Sequence, residues 1–203
     1  AVTVATAVSG IQKAMKHVSN INVYGFAIFL IFLLVFSNAS FLFNLSTEAL
    51  GGFAGTFIER ILITGESVGT QWPQWWTTFY WFSWMAWAPT SGAFMGQIAY
   101  GRKVKHVLGL YVGLCASVSA IWMVLVSGTS LWVQTSGLFD LVASYDRGVE
   151  NVPYDMLGAL PLGNLIIPLF VVLIFLSTIT ACNSNCIAMA GISTQGINPD
   201  SPD

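Results

Sequence analysis

The sequence predicts an all-α integral membrane fold, and three observations carry that prediction. Only 8% of the 203 residues are charged and 55% are hydrophobic, against roughly 25% charged in a soluble domain. The few charges cluster between apolar runs long enough for the roughly 20 residues that cross a bilayer as helix. Five of the seven Lys and Arg residues fall on two short segments, Lys13 with Lys16 and Arg102, Lys103 with Lys105, and both segments can face the same side of the membrane.

The chain opens on AVTVATAVSG and closes on NPDSPD, without an initiator Met or a signal peptide. It is therefore expected to be an internal stretch of a longer protein. Residues 1–12 read as the end of one span, followed by full spans at 21–43, 75–99, 106–134 and 163–190. With the two basic segments cytoplasmic, the spans alternate in direction and the loops 44–74 and 135–162 face outward. In that arrangement His17 and His106 lie at cytoplasmic helix ends.

Between the first two full spans, residues 46–64 place Leu50, Phe53, Phe57, Ile61 and Thr64 at three- and four-residue steps. That is the pattern of an amphipathic connector helix on the membrane surface; a re-entrant loop is the alternative. Gly109 and Gly113, followed by Ala116, Ser117, Ser119 and Ala120, let another helix approach span 106–134 closely. Cys115, Cys182 and Cys186 are odd in number and show no metal-type spacing, so they read as small buried hydrophobes.

Residues 75–87, WWTTFYWFSWMAW, hold eight aromatic side chains in thirteen positions. A headgroup belt explains Trp72, Trp75 and Trp76, but a helix climbs about 18 Å over this run, more than half of a hydrocarbon core. Trp76, Phe79, Tyr80, Ser83, Trp84 and Trp87 share one broad face. Such a face, with no anionic group in it, suits a quaternary ammonium held by cation–π contact; aromatic helix packing is the plainer alternative. Ala88-Pro89-Thr90-Ser91-Gly92 follows at once and is expected to interrupt the helix, as at the midplane sites of secondary transporters.

Span 163–190 carries Ser177, Thr178, Thr180, Asn183, Ser184 and Asn185 within an apolar helix. Two readings stand: oxygen ligands for a sodium ion, or hydrogen bonds between helices. No Asp or Glu lies in any full span. Ser-His-Asp, HExxH and paired-carboxylate patterns are missing from the sequence, so an enzyme is not expected, and no basic tract points to nucleic acid.

The stretch from Trp76-Thr77-Thr78-Phe79-Tyr80-Trp81 through Trp84 and Trp87-Ala88-Pro89 to Gly101-Arg102-Lys103 resembles the signature of the betaine/carnitine/choline transporter family, approximately WTxFYWAWWxxWxP closed by a GR loop. Lys13–Asn20 and Ala159–Gly163 fit as well, and the resemblance covers essentially the whole chain. It implies an inverted-repeat fold of five plus five helices, of which this chain holds the end of the first repeat and the first three helices of the second. Residues 46–64 become the connector between repeats, and a homotrimer in the cell inner (plasma) membrane is the implied assembly.

The resemblance further implies uptake or exchange of glycine betaine, carnitine, choline or similar osmolytes, without a cofactor. Trp84 is then the aromatic-box residue, Phe79 and Trp87 line the route, and Trp76 stands near its outer end; Tyr80 and Ser83, on the same face, complete the candidate substrate-binding residues. The family's usual Trp-Trp pair reads Ser83-Trp84 here, so one ring is replaced by a hydroxyl. In sodium-coupled members a Thr-Ser pair on the last span holds the ion. Ungapped alignment puts Ala181-Cys182 there, and a shift of one residue supplies Thr180. Thr180, Ala181, Cys182 and Ser184 are thus the candidate ion ligands, with sodium-coupled uptake and sodium-independent exchange both open. A sulfonium osmolyte, or an osmosensor that transports nothing, remains the alternative.

Overall fold

The computed structural model describes residues 11–193. Residues 1–10, which hold most of the span expected at 1–12, lie outside the described residues. Among those described the chain is helical with no strands, as the composition requires of a chain that must satisfy its own backbone in lipid.

Helix α1 runs Ile11–Phe36 and α2 runs Ala39–Leu62, so the span expected at 21–43 does not exist as one helix. Asn38 explains the break: its side-chain oxygen accepts from the Phe41 N–H at 3.0 Å, the third residue of the new helix, as a capping Asn does. Ser37 closes α1 by donating its hydroxyl to the Leu33 carbonyl. The segment 46–62 is accordingly the second part of α2, continuous with 39–43 rather than a separate piece. Its Leu50, Phe53 and Ile61 are exposed, and Phe53 meets Phe57 edge to face at 5.2 Å.

The chain then turns through a short 3₁₀ segment, Glu66–Val68, between Gly65 and Gly69, both left-handed at φ of 81° and 65°. The Thr70 N–H donates to the Gly65 carbonyl at 3.1 Å, and Gln74 Nε2 donates to the Thr64 carbonyl. A Cβ on Gly65 would stand 2.3 Å from the Thr70 oxygen. Gly65→Ala is therefore expected to lower stability by about 1–3 kcal/mol, against almost none for Gly55→Ala, where an added Cβ meets nothing within 4 Å. Thermal unfolding of the two variants in lipid nanodiscs checks this.

Helix α3, Trp72–Ile98, starts with Pro73 in its first turn and runs unbroken through Pro89. The expected interruption at 88–92 is thus not present. A proline deprives the helix of one donor, here the bond that would reach the Met85 carbonyl, and its neighbours Met85, Ala86 and Ala88 favour helix strongly enough to carry the backbone past it. Gly101, at φ 76°, ends the passage into the basic loop.

Helix α4 spans Val104–Thr135, with a π-helical stretch at Gly109–Leu114 that contains the two glycines read as a packing motif. Helix α5, Leu141–Arg147, is capped by Asp140, whose Oδ1 accepts from the Val142 and Ala143 N–H groups at 3.1 and 3.2 Å. Helix α6 is Val152–Gly158, and α7 is Gly163–Ser193. Arg147 pairs with Asp155 at 2.8 Å and ties α5 to α6. Among the described residues three helices are long and apolar enough to cross a membrane: Lys16–Phe36, Val104–Thr135 and Gly163–Cys186. Helix α3 has the length, 27 residues, but its Trp and Tyr tips with Gln, Thr and Ser leave it less apolar.

The described residues form two compact units, 11–49 with 103–180, and 50–102 with 181–193. The first holds the core. There Phe29, wholly buried, stacks on Phe170 at 5.0 Å and packs against Trp122 at 6.0 Å. Leu42 packs where Gly128 leaves room; a Cβ on that glycine would stand 2.6 Å from its Cδ2. Cys115, Cys182 and Cys186 are free and exposed, contrary to the expectation of burial. Their helices are apolar nearly all round, so an apolar neighbourhood in sequence does not tell which face turns inward.

Candidate functional site

Helices α3 and α7 each lack any Asp, Glu, Lys or Arg, so no ionised side chain competes on either for a bound cation or zwitterion. On α3 the helical repeat sets the aromatic residues one above another. Trp76 stacks on Tyr80 at 5.6 Å and 30°, and meets Phe79 edge to face at 5.9 Å. Phe79 and Tyr80 stand 5.7 Å apart, and Trp72 lies 5.8 Å from Trp76. The outer half of the face is thus a connected set of rings.

Its inner half differs. Trp84 and Trp87 are 68% and 52% exposed, and among the described residues neither has a ring partner, so their π-surfaces remain available to another group. Ser83 is half-buried. Trp81 and Phe82, off this face, are 64% and 69% exposed, so exposure alone does not separate a binding face from a packing face.

On α7, Thr178 and Thr180 each donate a hydroxyl hydrogen to their own helix, to the Ile174 and Leu176 carbonyls at 2.9 Å. A hydroxyl that donates in this way can still accept through its oxygen, the capacity a cation ligand uses, and Thr180 is engaged in further interactions as well. Ala181 and Cys182 are exposed; Ser184 is half-buried and Asn183 buried, both engaged in further interactions. Among the described residues no group of three His, Cys, Asp or Glu side chains could hold a metal ion, so a site here would have to be built from hydroxyls and carbonyls.

The sequence did not reveal the bond from Asn22 Nδ2 on α1 to Ser177 Oγ on α7, 2.8 Å long and spanning 155 positions. The available signal was Asn22 at the head of a long apolar run, a polar side chain that in lipid requires a partner. Nor did it reveal Gln134, whose Oε1 accepts from the Leu141 and Val142 N–H groups at 2.6 and 3.2 Å and so fixes the start of α5.

Long apolar helices, a charge-free aromatic face and a polar stretch inside an apolar helix mark an integral membrane protein. The family model described as BCCT, betaine/carnitine/choline family transporter, matches residues 1–203. The chain belongs to that family. It is 29% identical over 196 residues to a probable glycine betaine transporter of Desulfitobacterium hafniense, covering 96% of this chain and 38% of that protein. An ectoine/hydroxyectoine transporter of Virgibacillus pantothenticus is 25% identical over 193 residues, covering 94% and 38%. An uncharacterised transporter of Mycobacterium tuberculosis is 26% identical over 196 residues, covering 97% and 33%. The chain thus spans 33–38% of the length of these relatives.

Proposed function

We propose that the full-length protein carries out secondary active transport of a quaternary ammonium osmolyte, glycine betaine foremost and carnitine or choline as related substrates, across the plasma membrane as a homotrimer. The observation that carries this reading is the α3 face, on which Trp84 and Trp87 offer unstacked rings in a helix free of charge. A trimethylammonium group has no N–H to donate, so ring faces hold it better than hydrogen-bond acceptors do. Trp84 takes the cationic head, Phe79 and Trp87 line the route, and Trp76 with Tyr80 forms its outer end. No covalent bond is made or broken. Alternating access needs the site to close on the solute in both states without holding it too tightly to release.

Ser83 favours a second substrate class. A half-buried hydroxyl beside Trp84 suits a zwitterion with its own N–H groups, and one relative is named for ectoine and hydroxyectoine. Sodium is the proposed coupling ion, with the Thr180 hydroxyl and the carbonyls near Ala181, Cys182 and Ser184 as ligands.

The deciding experiment is uptake of labelled glycine betaine by the full-length protein in proteoliposomes, with and without an inward sodium gradient and with carnitine, choline or ectoine as competitor. Accumulation driven by the gradient is the expected result, and Thr180→Ala should then raise the sodium concentration for half-maximal uptake about tenfold. Flux only into vesicles preloaded with substrate would replace symport by exchange. No flux of any of these solutes would overturn the transport reading.

A further inference from the structure

The polar stretch of α7 opens at Ser177, and this serine is bonded to another helix. Thr178 and Thr180 bond back to carbonyls of their own helix, whereas Ser177 accepts from the Asn22 amide of α1 at 2.8 Å. The other end of that amide, Oδ1, is buried and has no partner among the described residues. A serine hydroxyl can accept from an N–H or donate to a carbonyl. In either orientation, then, one end of the Asn22 amide bonds Ser177 and the other stays unpartnered, so the contact survives exchange of the amide ends.

Its neighbours show what the bond controls. Along α1 the next contact toward the C-terminus is Gly25, where an added Cβ would stand 2.3 Å from Leu173 Cδ2, and then Phe29 stacked on Phe170. Positions 22, 25 and 29 thus meet 177, 173 and 170, two helices running antiparallel. The glycine–leucine and phenylalanine contacts are apolar and act through shape alone. A hydrogen bond weakens steeply off line, so Asn22–Ser177 is the directional contact of the three.

We propose that Asn22 is a positioning residue for transport: through Ser177 it fixes the rotation of α7 at the point where the helix's polar stretch begins. Asn22 touches neither solute nor ion in this scheme. The inference rests on the transport reading for its consequence but not for its geometry.

The test uses the full-length protein in proteoliposomes with Ser177→Ala, Asn22→Ala, both together, and the exchanged pair Asn22→Ser with Ser177→Asn. Each single change is expected to lower the maximal rate of glycine betaine uptake about tenfold while KM stays within about twofold. The double variant should be no worse than either single, and the exchanged pair should recover most of the rate. Ser177→Ala removes one oxygen atom only; wild-type kinetics in that variant, or losses that multiply in the double, would overturn the proposal.

A second readout does not depend on transport. Cys182 is exposed on α7, and in a Cys115→Ala, Cys186→Ala background its maleimide labelling rate should change about threefold, equally in both single variants. Should the wild type carry no betaine, the transport reading fails and this rate decides alone: an unchanged rate in Ser177→Ala would refute the positioning role.

Discussion

Replacing Trp84 with leucine in the full-length protein is expected to lower kcat/KM for the proposed substrate glycine betaine about 30-fold, the equivalent of the roughly 2 kcal/mol that a desolvated cation–π contact supplies. Leucine keeps an apolar side chain but removes the π-face, and Trp84 is 68% exposed, so the loss reports on the ring rather than on core packing. Trp84→Phe retains a smaller π-surface and should lose less. Trp81→Leu, from off the face that carries Trp76, Phe79, Tyr80 and Trp87, should change kcat/KM less than about threefold. Equal losses at positions 84 and 81 in a radiotracer assay would mean that the aromatic run packs helices and binds no solute.

The largest effect on stability is expected at Phe29. It is wholly buried, stacked on Phe170 at 5.0 Å and packed against Trp122 at 6.0 Å, so it joins α1, α4 and α7. Helices in lipid gain little from the hydrophobic effect when they associate, and close van der Waals contact takes its place. Truncation to alanine leaves a cavity among these three helices and is expected to cost about 3 kcal/mol or more, with Phe29→Leu costing about 1. Thermal unfolding in nanodiscs measures both. A cost under about 1 kcal/mol for Phe29→Ala would show that the three helices hold together by other contacts.

What could be read locally in the sequence was read from local causes. Apolar length gave α4 and α7, since a chain this poor in charge has few other ways to satisfy its backbone in lipid. The aromatic run fixed the helix on which a cation could sit, because ring spacing along a helix follows from its 3.6-residue turn. The capping Asn38 was also legible, as a short polar residue in an apolar run, yet the apolar count ran across it and merged α1 with the start of α2. Pro89 misled in the opposite direction: proline predicts a break from one missing donor, and the helix formers that precede it, Met85, Ala86 and Ala88, outweighed it.

The family, too, was legible, because its signature is a contiguous stretch on one helix. The partners of individual side chains were not. Helices α1, α4 and α7 are apolar on nearly every face, so no periodicity marks the inward side, and the three cysteines expected inside came out exposed. The bond between Asn22 and Ser177, the stack of Phe29 on Phe170 and the fit of Leu42 over Gly128 join residues many tens of positions apart. Sequence by itself determined which segments are helices and which of them carry rings or hydroxyls, because these depend on neighbours within a turn or two. Tertiary structure alone decided which faces meet, since in a uniformly apolar bundle that choice rests on shape complementarity and a few directional hydrogen bonds.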